Sequence, residues 1–188
     1  MSARIFWSYL NPLFFMDYAN PRMLRPDLRV DSISEIDAEK LRDKKIRSLI
    51  FDVDNTLCEY HGKGVDSSLK EKVEELNVVF NCCILSNTSS ETRVEELKKY
   101  FNLPIAETLI KKPKREAFHA ALKLLKTKPA ETAMIGDRLL TDIAGANKIG
   151  IYSIKVKPLH PETEPTGLWI GRVFETILFR IYKIFGLY

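Results

Sequence analysis

Apolar and polar positions repeat in a regular order between Ile46 and Val156. The apolar run Ile46 to Phe51 is too short for a helix and predicts a strand. A helical pattern follows, capped by Ser67, with Leu69, Val73 and Leu76 on one face. Cys82 to Leu85 predicts a second strand, and Ser90 to Tyr100 a charged helix. A short strand is predicted near Ile105 to Leu109. Arg115 to Lys126 then predicts a helix with Phe118, Ala121, Leu122 and Leu125 in one stripe. Thr132 to Ile135 predicts a strand, Leu139 to Lys148 a helix closed by Gly150, and Ile151 to Val156 the last strand. Strands that alternate with helices in this way predict an α/β fold, a Rossmann-like doubly wound parallel sheet.

This core, residues 46–157, lies between two segments of different texture. Residues 1–45 form an aromatic, proline-containing lead-in with a short helix expected at Ser34 to Arg42. Residues 158–188 read as a linker and an amphipathic C-terminal helix. At about 100° per residue, Arg172, Glu175, Arg180 and Lys183 fall in a ~140° polar stripe. Ile170, Val173, Phe174, Ile177, Ile181, Ile184 and Phe185 fill the other side, and Trp169, Tyr182 and Tyr188 suit a membrane interface. Charges near the middle disfavour spanning, so the expected placement is in the interface plane. Phe6, Trp7, Tyr9, Leu13, Phe14 and Phe15 offer a second anchor. The alternative is that both ends pack back on the sheet or form a dimer seam; oligomeric state is not legible.

Composition narrows the class. Of 188 residues, 45% are hydrophobic and 29% charged, as in ordinary globular proteins, and the net charge of +4 suits an anionic substrate or surface. Cys58, Cys82 and Cys83 are odd in number and two are adjacent, which excludes a disulfide framework and predicts a reducing compartment. None is spaced for zinc with His61, His119 or His160. Ile5 to Met16, broken by Asn11 and Pro12, does not read as a secretory signal.

In parallel sheets, ligands bind beyond the carboxyl ends of the strands. Asp52, Ser86 with Asn87, and Asp137 stand at three such ends. Converging carboxylates repel unless they hold a cation or share a proton, and hard oxygens suit Mg2+. A carboxylate beside a metal can run phosphoryl transfer through an aspartyl-phosphate, and Asp54, two residues on, can carry the proton.

The motifs Asp52-Val53-Asp54-Asn55-Thr56-Leu57, Ser86-Asn87, Lys112-Pro113 and Gly136 to Asp142 ("GDRLLTD") occur in order, and the chain resembles the haloacid-dehalogenase (HAD) superfamily. The resemblance implies Asp52 as nucleophile and metal ligand. It implies Asp54 as general acid and base, lending its backbone carbonyl to the metal. Asp137 would complete the Mg2+ site with Asp142 in support, Ser86 would bind the phosphoryl group, and Lys112 would neutralise charge between that group and Asp52. The neighbouring Lys111 and Lys114 remain alternatives for the motif lysine. Too few residues follow Leu57, or separate Asn87 from Lys112, for a large cap domain, so an open site is expected.

"LRPDLRVDSISEI", "IRSLIFDVDNTL" and "GDRLLTDIAGAN" are similar to the HAD subclass IIIA that includes mitochondrial and bacterial-type phosphatidylglycerophosphate phosphatases. That resemblance implies an anionic phospholipid substrate at a membrane surface, in phosphatidylglycerol and cardiolipin synthesis. The location implied is peripheral, on a bacterial cytoplasmic face or an organelle matrix side. Nucleic acid is not expected as a partner, because the basic run Lys111 to Arg115 has no aromatic interleaving. The rival readings are a HAD phosphatase for phosphoproteins, nucleic-acid ends or small esters, and a non-catalytic membrane adaptor that only binds a phosphorylated headgroup.

Overall fold

The structure is a computed structural model that describes residues 20–59, 66–88 and 90–184. Five parallel strands form one sheet: β1 (Leu28–Arg29), β2 (Ser48–Phe51), β3 (Asn81–Ile84), β4 (Thr132–Gly136) and β5 (Tyr152–Lys155). Their order is β1-β5-β4-β2-β3. β2 and β4 are central neighbours in register, Phe51 opposite Ile135, and both are buried along their whole length. That burial explains why they read as continuous apolar runs rather than as alternating ones. Their ends stop together, so Asp52 and Asp137 emerge side by side; the Asp52 amide still donates to the Ile135 carbonyl.

Three helices follow the sequence pattern closely, after a shorter one in the lead-in. α1 (Ala38–Asp43) lies in the lead-in, α2 (Ser67–Val79) follows β2, α3 (Glu91–Phe101) follows β3, and α4 (Arg115–Leu125) precedes β4. Leu69, Val73 and Leu76 of α2 and Phe118, Ala121 and Leu122 of α4 are buried as the periodicity requires. The two helices enter separate apolar clusters, α2 with Leu49 and Phe51, α4 with Ile50 and Met134. Alternate β2 residues thus face opposite layers.

Four local expectations are corrected. The cap of α2 is Asp66, whose carboxylate accepts from the Ser68 and Leu69 amides, not Ser67. The expected lead-in helix is split into a 3-10 turn at Ile33–Glu35 and α1, because Asp37 stops the first and caps the second. Ile105 to Leu109 forms only a bridge between Ile105 and Ile84, and Leu109 is fully exposed. The fifth strand is instead β1, whose two residues give too little sequence for a period-two signal. Finally, Leu139 to Lys148 divides into a π-helical turn, Leu139–Ile143, and a short α5, Ala144–Asn147.

α6 (Thr166–Ile184) packs on the body of the protein. Phe174, Leu178, Phe179 and Tyr182 lie against Leu24, Leu139, Leu140, Ile143 and Ala144, and the Phe179 ring takes the Arg29 guanidinium at 4.2 Å. Glu175 is buried on the same inward side. Trp169, Ile170, Val173, Ile177, Ile181 and Ile184 point outward and are exposed. Two of the polar positions thus face the protein while an apolar stripe faces away, reversing the usual polarity of a surface helix. Phe174 belongs to the inward face rather than the stripe. The aromatic residues between Phe6 and Phe15, together with Phe185 and Tyr188, lie outside the described residues. Among the described residues, no helix is long and apolar enough to cross a membrane.

Candidate active site

The site sits beyond the ends of β2 and β4. Asp52 is 8% exposed, Asp137 and Asp142 are fully buried, and Lys112 is 4% exposed. Four charged groups this dry survive only when they compensate one another. Lys112 Nζ binds Asp52 Oδ1 and lies 2.8 Å from Asp142 Oδ1. Lys111 and Lys114 are exposed, so of the three lysines it is Lys112 that is buried against Asp52. Burial opposes the charge on Lys112, but Asp142 and Asp52 outweigh it and hold its pKa above the ordinary lysine range.

Asp142 reaches Lys112 because of the π turn. That turn brings the Asp142 carboxylate back to the Arg138 amide, which donates to Oδ2 at 3.0 Å. A side chain at Gly136 would strike this carboxylate, since a Cβ there would lie 2.5 Å from Asp142 Oδ2. The glycine of "GDRLLTD" is therefore a space requirement. Asn55 makes the turn after Asp54 with φ +64°, a left-handed conformation that Asn tolerates better than most residues.

Each of two acids has one oxygen held and one oxygen turned to a shared point. Asp52 Oδ1 is held by Lys112, and Asp137 Oδ2 accepts from Arg172 Nη2 at 2.6 Å. Asp52 Oδ2 and Asp137 Oδ1 both lie 3.4 Å from the Thr56 hydroxyl. One carboxylate oxygen from each of Asp52, Asp137 and Asp142 falls within 4.8 Å of the others. Opposed oxygens around Mg2+ stand about 4.2 Å apart, so this all-oxygen donor set fits that ion with little contraction. Burial is the main force raising the pKa of both Asp52 and Asp137. For Asp52, Lys112 opposes the rise; for Asp137, Arg172 opposes it and leaves the carboxyl at about 6.

Asp54 stands nearer the mouth, with its side chain 28% exposed and 3.7 Å from Arg93 Nη2. Arg93 also donates to Cys58 Sγ at 2.9 Å. Burial pushes the Cys58 thiol up to about 11, so it is a packed thiol and not a nucleophile. The Ser86 hydroxyl accepts from the Thr88 amide at 3.1 Å. Asn87 has a positioning contact: its Oδ1 accepts from the Lys112 amide at 2.8 Å and its Nδ2 donates to the Lys112 carbonyl at 3.2 Å. These two bonds clamp the lysine peptide, which is followed by a cis bond to Pro113.

No large cap is present among the described residues. The stretch after β5 borders the site. The Leu159 amide donates to the Asn55 carbonyl at 3.0 Å and the His160 amide to Asn55 Oδ1 at 2.9 Å. Glu164 accepts from Asn55 Nδ2 at 2.9 Å and is forked by Arg172 through Nη2 and Nε. Arg138 donates to Glu175 and to the Leu168 carbonyl, both at 3.3 Å. Lys155 Nζ donates to the Asp137 carbonyl at 2.8 Å. Arg172 and Glu175 did stand out as polar residues on the C-terminal helix, but helical periodicity gives a face and not its partner. Arg93, Lys155 and Glu164 carried no signal.

A family profile described as mitochondrial PGP phosphatase matches residues 13–158. The chain is 31% identical over 134 residues to "Probable phosphatase YqeG" of Bacillus subtilis, covering 71% of this chain and 77% of that one. It is 26% identical over 149 residues to phosphatidylglycerophosphate phosphatase 1, chloroplastic/mitochondrial, of Arabidopsis thaliana; the match covers 74% of this chain and spans 42% of that protein's length. In fold it is similar to the "HAD-hydrolase YfnB from Bacillus subtilis bound to magnesium", with TM-score 0.51, 17% identity, and coverage of 64% of this chain and 90% of that chain. The profile match runs from the lead-in through every strand that carries a motif residue, and on that ground the chain belongs to the mitochondrial PGP phosphatase family, phosphoric monoester hydrolases on the HAD fold.

Proposed function

We propose that this protein is a Mg2+-dependent phosphatase that removes the terminal phosphate of phosphatidylglycerophosphate at a membrane surface, giving phosphatidylglycerol. The observation that carries the reading is the paired geometry of Asp52 and Asp137, each with one oxygen held by a base and one turned to a common point. The names of the Arabidopsis relative and of the family profile support the choice of substrate.

The Asp52 carboxylate attacks phosphorus, the bond from phosphorus to the glycerol oxygen breaks, and an aspartyl-phosphate forms. Asp54, at the mouth, gives its proton to the departing oxygen. It then takes a proton from water, which attacks the same phosphorus and returns Asp52 and inorganic phosphate. Lys112 stays against Asp52 throughout and offsets the charge gathered there, with its own position fixed by Asn87 and Asp142. Asp52, Asp137 and the backbone carbonyl of Asp54 would hold Mg2+, with Asp142 supporting them through Lys112; the bound ion supplies charge neutralisation to the phosphoryl oxygens. Asp52, Asp137, Asp142, Glu164 and Glu175 face Lys112, Lys155, Arg138 and Arg172, which leaves one negative charge in excess. A dication balances a site of that sign better than an apolar ligand would.

The outward stripe of α6 supports a lipid surface as the partner. Trp169, Val173, Ile184, Ile177, Ile170 and Ile181 span about 120° of the helix. Lys183 borders the stripe on one side, Arg180 interrupts it between Trp169 and Val173, and both are exposed. Basic groups near an anionic leaflet contribute about 1 kcal/mol each. The same helix carries Arg172, which binds Asp137, so α6 links the lipid-facing stripe to the site.

The test is phosphate release from phosphatidylglycerophosphate in mixed micelles, with and without Mg2+, beside a phosphopeptide, 3′-phosphorylated DNA and a soluble phosphate ester. Metal-dependent release that favours the lipid is expected. Release from another substrate in preference would move the assignment, and binding without release would make the protein an adaptor.

A further inference from the structure

Arg172 lies beyond the span of the family match, which ends at residue 158, yet its guanidinium is anchored in the centre of the site. It binds Asp137 Oδ2 and forks Glu164, and it is itself largely buried, with its side chain 15% exposed. We infer that Arg172 is a positioning residue that sets cation specificity: by occupying Asp137 Oδ2 and Glu164, it limits Asp137 to one oxygen and so favours Mg2+ over Ca2+. This rests on the magnesium-dependent reading above and deepens it.

The argument is geometric. Mg2+ takes six oxygens in a tight octahedron, accepts single oxygens from carboxylates and keeps several waters. Ca2+ takes six to eight oxygens and often uses both oxygens of one carboxylate. Here the second oxygens are taken. Lys112 holds Asp52 Oδ1, and Asp142 has Lys112 on Oδ1 and the Arg138 amide on Oδ2. The second oxygen of Asp137 is held by a group from α6, not from the core. Glu164 would otherwise offer a further carboxylate a few ångströms away, and Arg172 together with Asn55 ties down its oxygens. Removing Arg172 releases Asp137 Oδ2 and Glu164 Oε2 while Asn55 keeps Glu164 Oε1, and these are the further donors that Ca2+ lacks.

Loss of the Arg172 charge by itself strengthens attraction for either dication. The ratio of the two affinities cancels that effect and isolates the geometry. The experiment is calorimetric titration of the full chain with Mg2+ and with Ca2+, in the wild type, Arg172→Met and Arg172→Lys. The ratio Kd(Ca)/Kd(Mg) is expected to fall by about tenfold or more in Arg172→Met. Arg172→Lys retains one contact to the carboxylate and is expected to fall between. Arg172→Met/Glu164→Gln, which leaves no lone charge beside Asp137, serves where the single variant does not fold; its ratio should fall as well, because Asp137 Oδ2 is still released. A ratio within about twofold of wild type in the folded variants overturns the assignment while leaving the magnesium reading intact. A wild-type chain that binds neither cation overturns both.

Discussion

Glu175 Oε1 accepts from Arg138 Nε at 3.3 Å, and through this contact the C-terminal helix grips the loop that carries Asp137. The same carboxylate accepts from the Leu139 and Leu140 amides at 3.2 and 3.3 Å. Those amides open the π turn, where backbone donors precede the first bonds within the turn. A carboxylate there satisfies both the charge and the donors. Glu175→Ala should therefore cost about 3 kcal/mol, since it removes the buried carboxylate that accepts from the Arg138 guanidinium and from two backbone amides. Urea unfolding measures it, and a loss below about 1 kcal/mol would show that water replaces the contact.

Asp52→Asn removes the oxygen nucleophile but keeps the shape of the side chain. Turnover should fall by more than roughly 10⁴-fold. The thermal midpoint should hold or rise, because burial already raises the Asp52 carboxyl and Lys112 retains Asp142. Wild-type turnover in the Asp52→Asn variant would rule out an aspartyl-phosphate.

Stability should depend on pH in an unusual direction. Burial lifts the Asp137 carboxyl to about 6 in the folded protein, above its ordinary value of 3.8. The native state thus holds the proton more tightly than the unfolded chain. This contribution is fully present below the unfolded pKa and is lost as pH climbs through about 6. Burial shifts Asp52 the same way. In metal-free buffer the thermal midpoint should rise between about pH 7.5 and about pH 5.5, and saturating Mg2+, which favours the ionised acids, should cancel the rise. Calorimetric scans at fixed ionic strength decide; a metal-free midpoint that drops on acidification contradicts the assignment.

Ile177→Glu and Ile181→Glu test the outward stripe of α6. Both positions are exposed, at 51% and 41%, so unfolding free energy should change by no more than about 0.5 kcal/mol. Sedimentation with anionic vesicles should decline, along with lipid turnover, while a soluble phosphate ester is hydrolysed as before. Undiminished vesicle binding would remove α6 as the membrane contact. Deleting the helix is a poorer test, since it also takes Arg172 and Glu175 from the site.

The motif residues were legible because strand ends in a parallel sheet are fixed by local pattern. Phe51 and Ile135 close buried apolar runs, and the polar residue after each run must emerge at the same edge. Lys112 was less so, since three lysines share the stretch and only burial separates them. β1 was missed because two residues carry no period. The π turn was missed because a π turn and an α-helix share one hydrophobic stripe over so few residues.

The sequence alone determined the α/β order, the acids at the strand ends and the amphipathic character of residues 166–184, all of which depend on spacing along the chain. Tertiary structure alone decided which way that last helix faces. A helical wheel defines two sides but not which one meets the protein. Here Arg138, Asp137 and the first amides of the π turn made a polar seat, so Arg172 and Glu175 turned inward and the isoleucines were left outside.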